Sequence, residues 1–405
     1  MAQIRTNAPA IVSWAFALAL GLLTAPLIQA QVTVLTVGPS GTYATIQGAI
    51  DAVVNGADTE IRVEQNQTYT ENLEVPATFN SGSLSILGGW DATFSTRDPD
   101  PVLTVIDGDA SGRALNILIE GGSLLVDGMT FTNGKGDGAG VRVFSTFADN
   151  DAQIVIRNNW IAENHYLTST SAFGGGLYAY LNGTQRLEIL DSLIYRNTST
   201  ASSPTGNASG GGIFIQARDD STYLVDGCDV YENSVVGNGG QRAGGGLYLS
   251  AERNSKGLIY DTFMFGNTIL GTGNSKGSGG SLKASGAAIV EVVRSGWAEN
   301  TVDSGDATAQ LFYEVEAGSH VLRMTDSGLA QGDSGGLEVH AASNGSVQLV
   351  NLTVADHPGT GILATQEDTS TLAIYNTISY DNGTDLTTSG TIDTGSNLIG
   401  VDPLF

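Results

Sequence analysis

Glycine-led segments recur along the chain at a nearly fixed interval: Gly140-Val141, Gly176-Leu177, Gly212-Ile213, Gly246-Leu247 and Gly280-Ser281 stand 36, 36, 34 and 34 residues apart. A period of that size belongs to a solenoid, in which each repeat buries its apolar face only by stacking on its neighbours. Later turns shorten, with comparable stretches opening at Leu337 and Ile362, only 25 residues apart. The longer upstream period therefore carries an insertion in each coil. The Gly/Ser/Asn-rich tracts Leu167 to Phe173, Ser199 to Ser209, Val236 to Ala243 and Leu270 to Lys276 read as those insertions, in loop form.

Within a coil, apolar residues alternate, as in Leu177/Ala179/Leu181, Ile213/Ile215 and Leu247/Leu249. Second alternating runs follow at Leu187/Ile189, Tyr223/Val225 and Leu258/Tyr260. Period two means strands. No helical pattern long enough for a crossover separates them, so each coil must wind back through turns and stack its strands in parallel about 4.8 Å apart. The expected fold is all-β: a single-stranded right-handed parallel β-helix. An asparagine closes successive coils (Asn164, Asn197, Asn233, Asn267, Asn300), and a residue repeated once per coil reads as structural, suited to left-handed turns and to stacked hydrogen bonding. Thr42 is a candidate N-cap for a helix to about Val54, with Ile46, Ala49, Ile50, Val53 and Val54 on one face, plugging the solenoid's open end. Residues 31–110 are then the N-terminal cap with the first coils, and residues 111–405 the β-helix proper.

Residues 1–30 carry Arg5, a mostly apolar run from Ile11 to Leu27, and Ile28-Gln29-Ala30 before Gln31, which is the layout of an export signal. Nothing after it is apolar enough to span a bilayer, so the expected localisation is secreted or cell-surface in a bacterial envelope. A net charge of −25 disfavours nucleic acid and anionic lipid as partners. Cys228 is the single cysteine, which excludes an intrachain disulfide, and it reads as a small core residue.

The strings GPSGTYATIQGAIDAV (38–53) and TYTENLEVP (68–76) resemble the opening of pectin-lyase-like proteins. LGGWDATFSTRDPDPVLTVIDGD (87–109) and SNLIGVDPLF (396–405) look like segments of secreted or surface bacterial β-helix repeat proteins, and the glycine and aromatic-x-x-Asn rhythm is similar to that of polymorphic outer membrane proteins. The resemblance implies the fold. It leaves activity open, because that superfamily includes lyases, hydrolases, esterases and adhesins. Members with the VDPLF segment usually continue into a tail or anchor, so a chain stopping at Phe405 implies a truncated product or a missing anchor.

A lyase of this fold needs a base beside a uronate and a cation, often Ca²⁺, to stabilise the developing charge. The raw material is Asp149, Asp151, Asp219, Asp220 and Glu252 as calcium candidates and Arg218, Arg253 or Lys256 as base. The preferred reading of these residues is a solvated acidic rim in a protein that is acidic throughout. Only Asp219-Asp220 pairs at all, and no histidine is flanked by glycines, which counts against the hydrolase version of the fold. Gly332-Asp333-Ser334-Gly335-Gly336 and Gly134-Lys135-Gly136-Asp137-Gly138 read as coil turns. Facing outward, Arg142, Tyr178, Phe214 and Tyr248 form one row on successive coils, with Phe144 and Tyr180 beside it; this row is the candidate site for a polysaccharide or cell-surface component. The insertions folding over the row is the competing expectation. The preferred function is a non-catalytic, adhesin-like carbohydrate-binding protein with no required cofactor, the alternatives being a Ca²⁺-dependent polysaccharide lyase and a surface spacer.

Overall fold

The computed structural model describes residues 32–303 and 309–403, so the candidate export signal lies outside the described residues. Three long sheets of 13, 11 and 12 strands are wound around one core, and every strand pairing within them is parallel. One coil shows the path. Ile213–Ala217 lies in the 11-stranded sheet, Thr222–Asp226 in the 13-stranded sheet and Asp229–Tyr231 in the 12-stranded sheet; the chain then returns to Leu247–Ala251, paired directly on Ile213–Ala217. Parallel crossovers are right-handed almost without exception.

Alternation decides which side chains enter the core. Val141, Leu177, Ile213 and Leu247 are each fully buried and stack in register. Each such side chain contributes about 1.5–3 kcal/mol of transfer free energy. Tyr223 sits opposite Gly257 on the next coil, and a Cβ at Gly257 would fall 1.6 Å from the Tyr223 ring. The glycine makes the space that the tyrosine fills.

The glycine rhythm and the asparagine rhythm prove to be two halves of one device. Each ladder asparagine is fully buried, and the Nδ2 atoms of Asn164, Asn197, Asn233 and Asn267 donate to the Oδ1 of the next at 3.0, 2.9, 3.0 and 2.9 Å. The same Oδ1 also accepts a backbone N–H, as Asn233 Oδ1 does from Asn197 N at 3.0 Å. Gln310 closes the series, its Oε1 accepting from Asn300 Nδ2 at 2.8 Å. A Cβ at Gly176, Gly212 or Gly246 would come within 2.7–2.8 Å of the ladder amide on its own coil. The left-handed residue is not the asparagine but the one before it: Glu163, Arg196, Glu232 and Glu299 have φ of 56°, 54°, 51° and 52°. Register corrects one alignment, because Gly280 pairs with Leu247, making Gly279 the equivalent of Gly246. The Trp297 indole nitrogen lies 3.0 Å from the Cβ position that Gly280 lacks, so the fully buried indole occupies that gap.

Two further expectations are corrected. The helix α1 spans Ile46–Asp51 and is capped by Thr45, whose hydroxyl accepts from Gly48 N at 3.1 Å. Thr42 instead pairs with Thr36, and Val54 is 69% exposed. Ile46, Ala49 and Ile50 pack into the main core from the N-terminal end, while the Glu71 carboxylate accepts from Ile46 N and Gln47 N at 2.9 Å each. The insertions are not irregular loops. They stack in parallel as a five-stranded and a four-stranded sheet with a small core of Ala172, Ala201, Ala208, Val235 and Ile269. Successive insertions meet in register, so their unpaired backbone groups find partners along the axis as the main coils do.

Candidate ligand-binding faces

The outward row of the 11-stranded sheet is in register as the alternation requires: Arg142, Tyr178, Phe214 and Tyr248 pair in turn. Its rings stack on one another rather than standing apart. Tyr178 and Phe214 have centroids 5.3 Å apart at 5° between planes, and Phe214 and Tyr248 5.0 Å at 9°. Phe173 of the insertion lobe packs against Phe214 at 4.9 Å, and Phe214 is only 6% exposed. Burial pushes the Tyr178 hydroxyl up to about 12. Phe214 is thus covered, and the faces between neighbouring rings are taken by the stack, which leaves the partly exposed edges of Tyr178 and Tyr248 for a partner. Arg142 closes one end, lying over Phe144 at 4.0 Å and within 3.3 Å of Asp137.

Beside that row runs a second, polar one. Tyr180, Gln216, Ser250 and Lys283 pair in register on four successive coils, all outward and partly buried except the more covered Ser250. Arg218 donates to the Tyr180 hydroxyl at 2.7 Å and to Glu252 at 2.9 Å, and Gln216 donates to Glu252 at 2.7 Å. Burial pulls the Lys283 ammonium down, but its contact with Glu316 at 2.6 Å, together with the neighbouring Tyr248 and Glu314, holds it above its ordinary value. Further along, His340 and Glu338 meet at 2.6 Å, and that contact raises the imidazole. Sequence reasoning named Tyr180 but missed Gln216, Ser250 and Lys283, because they form no motif and strand register alone aligns them with it.

Most of the candidate bases and calcium residues lie on stacked turns of one edge of the solenoid, where they pair with one another. Arg218 is raised further by its bond to Tyr180, so it holds its proton more firmly. Arg253 is paired with Asp219 on the neighbouring turn. Lys256 is exposed at the start of Lys256–Tyr260 in the 13-stranded sheet, where its backbone N–H donates to the Ser221 carbonyl. Asp149 and Asp151 border a 540 Å³ recess with Glu120, whereas Asp219, Asp220 and Glu252 sit on later turns of the same edge. Among the described residues no group of three His, Cys, Asp or Glu side chains comes together to hold a metal ion. These carboxylates therefore do not come together as a calcium cage. Cys228 is buried in the core with Sγ on the Asp226 and Ile189 carbonyls, and burial pushes its thiol up to about 12, far from the thiolate a nucleophile needs. Ser334 is buried and Asp333 accepts from Val302 N, as expected of a coil turn.

A different face holds the larger concavity. On the 12-stranded sheet, outward residues drop in size from Phe263 and Phe265 to Gly296 and Ala298 and stay small at Gly328 and Ala330 before Thr353 and Ala355. The result is a groove of about 850 Å³ ending near Tyr380. Tyr195, Tyr231 and Phe265 form a second ring stack at 5.0 and 4.9 Å, and Phe265 is its last member before the groove. Two left-handed turn positions per coil supply the margins: Arg294 and Asp326 on one side, Glu299 and Asp356 on the other.

No family model and no curated protein matches the chain. Among solved structures it is similar to the pectin methylesterase of Aspergillus niger in a penultimately deglycosylated form, at 15% identity and a TM-score of 0.36 over 83% of this chain and 86% of that one. The deglycosylated form of that enzyme gives 14% and 0.37 over the same shares, and the pectin methylesterase from carrot 13% and 0.35 over 71% and 82%. Likenesses this distant settle nothing about activity. Three all-parallel ladders wound on one core make the fold a right-handed parallel β-helix.

Proposed function

We propose that the chain is a non-catalytic, exported carbohydrate-binding protein that contacts a glycan at the cell exterior through the 11-stranded face. The observation that supports the reading most is the polar lane. Tyr180, Gln216 and Lys283 present hydrogen-bonding groups in one line along the axis, with the covered Ser250 between the last two, beside the edges of Tyr178 and Tyr248 and with Arg142 at one end. A linear polymer laid along the axis would meet a donor or acceptor on three of these four coils. Arg218 and Arg253, the arginines nearest the acidic rim, are committed to carboxylates, which favours binding over proton abstraction.

The test is affinity electrophoresis of residues 32–405 through gels containing soluble polysaccharides. Retardation by at least one glycan is expected, and the Gln216→Ala/Lys283→Ala double variant should bind about tenfold or more weakly, since it removes one neutral and one charged hydrogen bond. Retention unchanged in that variant would remove the lane from the account.

A further inference from the structure

We infer that the groove on the 12-stranded sheet is a second glycan site, one that takes an uncharged sugar chain. It does not depend on the lane across the molecule. Its floor is flat because Gly296, Ala298, Gly328 and Ala330 project almost nothing above the strands. Its N-terminal wall is apolar and exposed: Phe263 is 53% and Phe265 37% exposed, with Phe263 leaning over Gly296, where a Cβ would meet its ring at 2.9 Å. Phe265 stacks on Tyr231 on one side only, and its partner on the next coil is Ala298, so its other face is unstacked. This is where it differs from Phe214, which has a ring on both sides.

The rim sets the charge of the occupant. Four carboxylates, Asp229, Glu299, Asp326 and Asp356, line the groove against a single guanidinium, Arg294. That guanidinium is already held by both oxygens of Asp261, at 2.8 and 2.6 Å. An anionic polymer would meet uncompensated like charge, while carboxylates readily accept hydrogen bonds from hydroxyl groups. The matching ligand carries C–H faces for the Phe265 ring, many hydroxyl donors and no negative charge. A neutral sugar chain running along the axis has that chemistry.

Gly328 provides the decisive variant. Its φ is unexceptional, and a Cβ there would meet nothing nearer than the Thr353 carbonyl at 3.8 Å, so Gly328→Trp fills the groove without straining the coil. Calorimetric titration of residues 32–405 would use oligosaccharides of β-glucan, mannan and xylan, with polygalacturonate as the anionic comparison. Binding of at least one neutral probe is expected, lost at least tenfold in Gly328→Trp and weakened several-fold in Phe265→Ala. The same affinity should survive in Gln216→Ala/Lys283→Ala, which separates this site from the lane. No neutral ligand, tighter binding of polygalacturonate, or binding indifferent to Gly328→Trp would each overturn the inference. So would a Gly328→Trp-sensitive dimer in sedimentation, which would make the occupant a second copy of this chain. An unchanged circular dichroism spectrum and thermal midpoint establish that both groove variants fold.

Discussion

Asn233→Leu should lower the stability of the β-helix by about 3–5 kcal/mol in urea unfolding, although leucine has nearly the shape of asparagine. The amide sits at the middle of the buried ladder. Its Oδ1 accepts from the Asn197 backbone N–H at 3.0 Å and from Asn197 Nδ2 at 2.9 Å, and its Nδ2 donates to the Ile194 carbonyl at 2.8 Å and to Asn267 at 3.0 Å. Leucine leaves several of these groups buried without a partner, each costing about 1–3 kcal/mol. Repacking cannot relieve the loss, because Gly212 abuts the same amide and the next asparagine occupies the coil above. A variant within about 0.5 kcal/mol of the parent would show that the ladder is an ornament of the turn rather than its support.

Gly257→Val should be comparably severe for the opposite reason, since it adds volume where the parent chain has removed it. The Tyr223 ring lies where the new side chain must go, and Tyr223 is itself only 3% exposed, with its hydroxyl raised by burial. Overpacking of this kind costs about 1–3 kcal/mol, and more where the obstacle is a ring enclosed on all sides. Tyr223→Ala alone leaves a cavity and should cost about 3–5 kcal/mol, by analogy with other large aromatic truncations. The double variant should cost less than the sum by about 1–3 kcal/mol, because valine then enters the vacated space. Additive costs would mean that the two residues are not packed on each other.

These two residues also show how much could be read from the chain. Tyr223/Val225 announces an inward-facing strand by alternation, and the asparagines announce themselves by recurrence. Neither pattern reveals that Gly212 and Asn233, 21 residues apart, touch when the coil closes. The misassigned opener at Gly280 has the same origin: Gly279 and Gly280 are indistinguishable as letters, and only pairing with Leu247 and the filling of the gap by Trp297 tell them apart. The insertions looked like loops because glycine, serine and asparagine dominate them, yet in-register repetition lets even such segments form ladders.

The site was less legible than the fold. Alternation correctly placed Tyr178, Phe214 and Tyr248 in one outward row, but it carries no information about ring orientation, and the stacking distances show where the faces went. The groove was invisible for a plainer reason. Phe265, Ala298, Ala330 and Ala355 are scattered over four short strands, each resembling an ordinary turn-flanked segment, and register alone draws them into a line. The signal that was present is the drop in size of the outer residues from FMFGN to GWAEN, beside an inner residue that stays apolar.

Absence of turnover is the claim on which the functional account turns, and release of unsaturated uronate, followed by ultraviolet absorbance, tests it most directly. Residues 32–405 would be incubated with pectate, alginate and chondroitin, with and without Ca²⁺. The account predicts a flat trace under every condition, with the same preparation still retarded by a glycan in the gel. A Ca²⁺-dependent rise abolished by chelation would contradict it and return the acidic edge at Asp219, Asp220 and Glu252 to the centre of the chemistry.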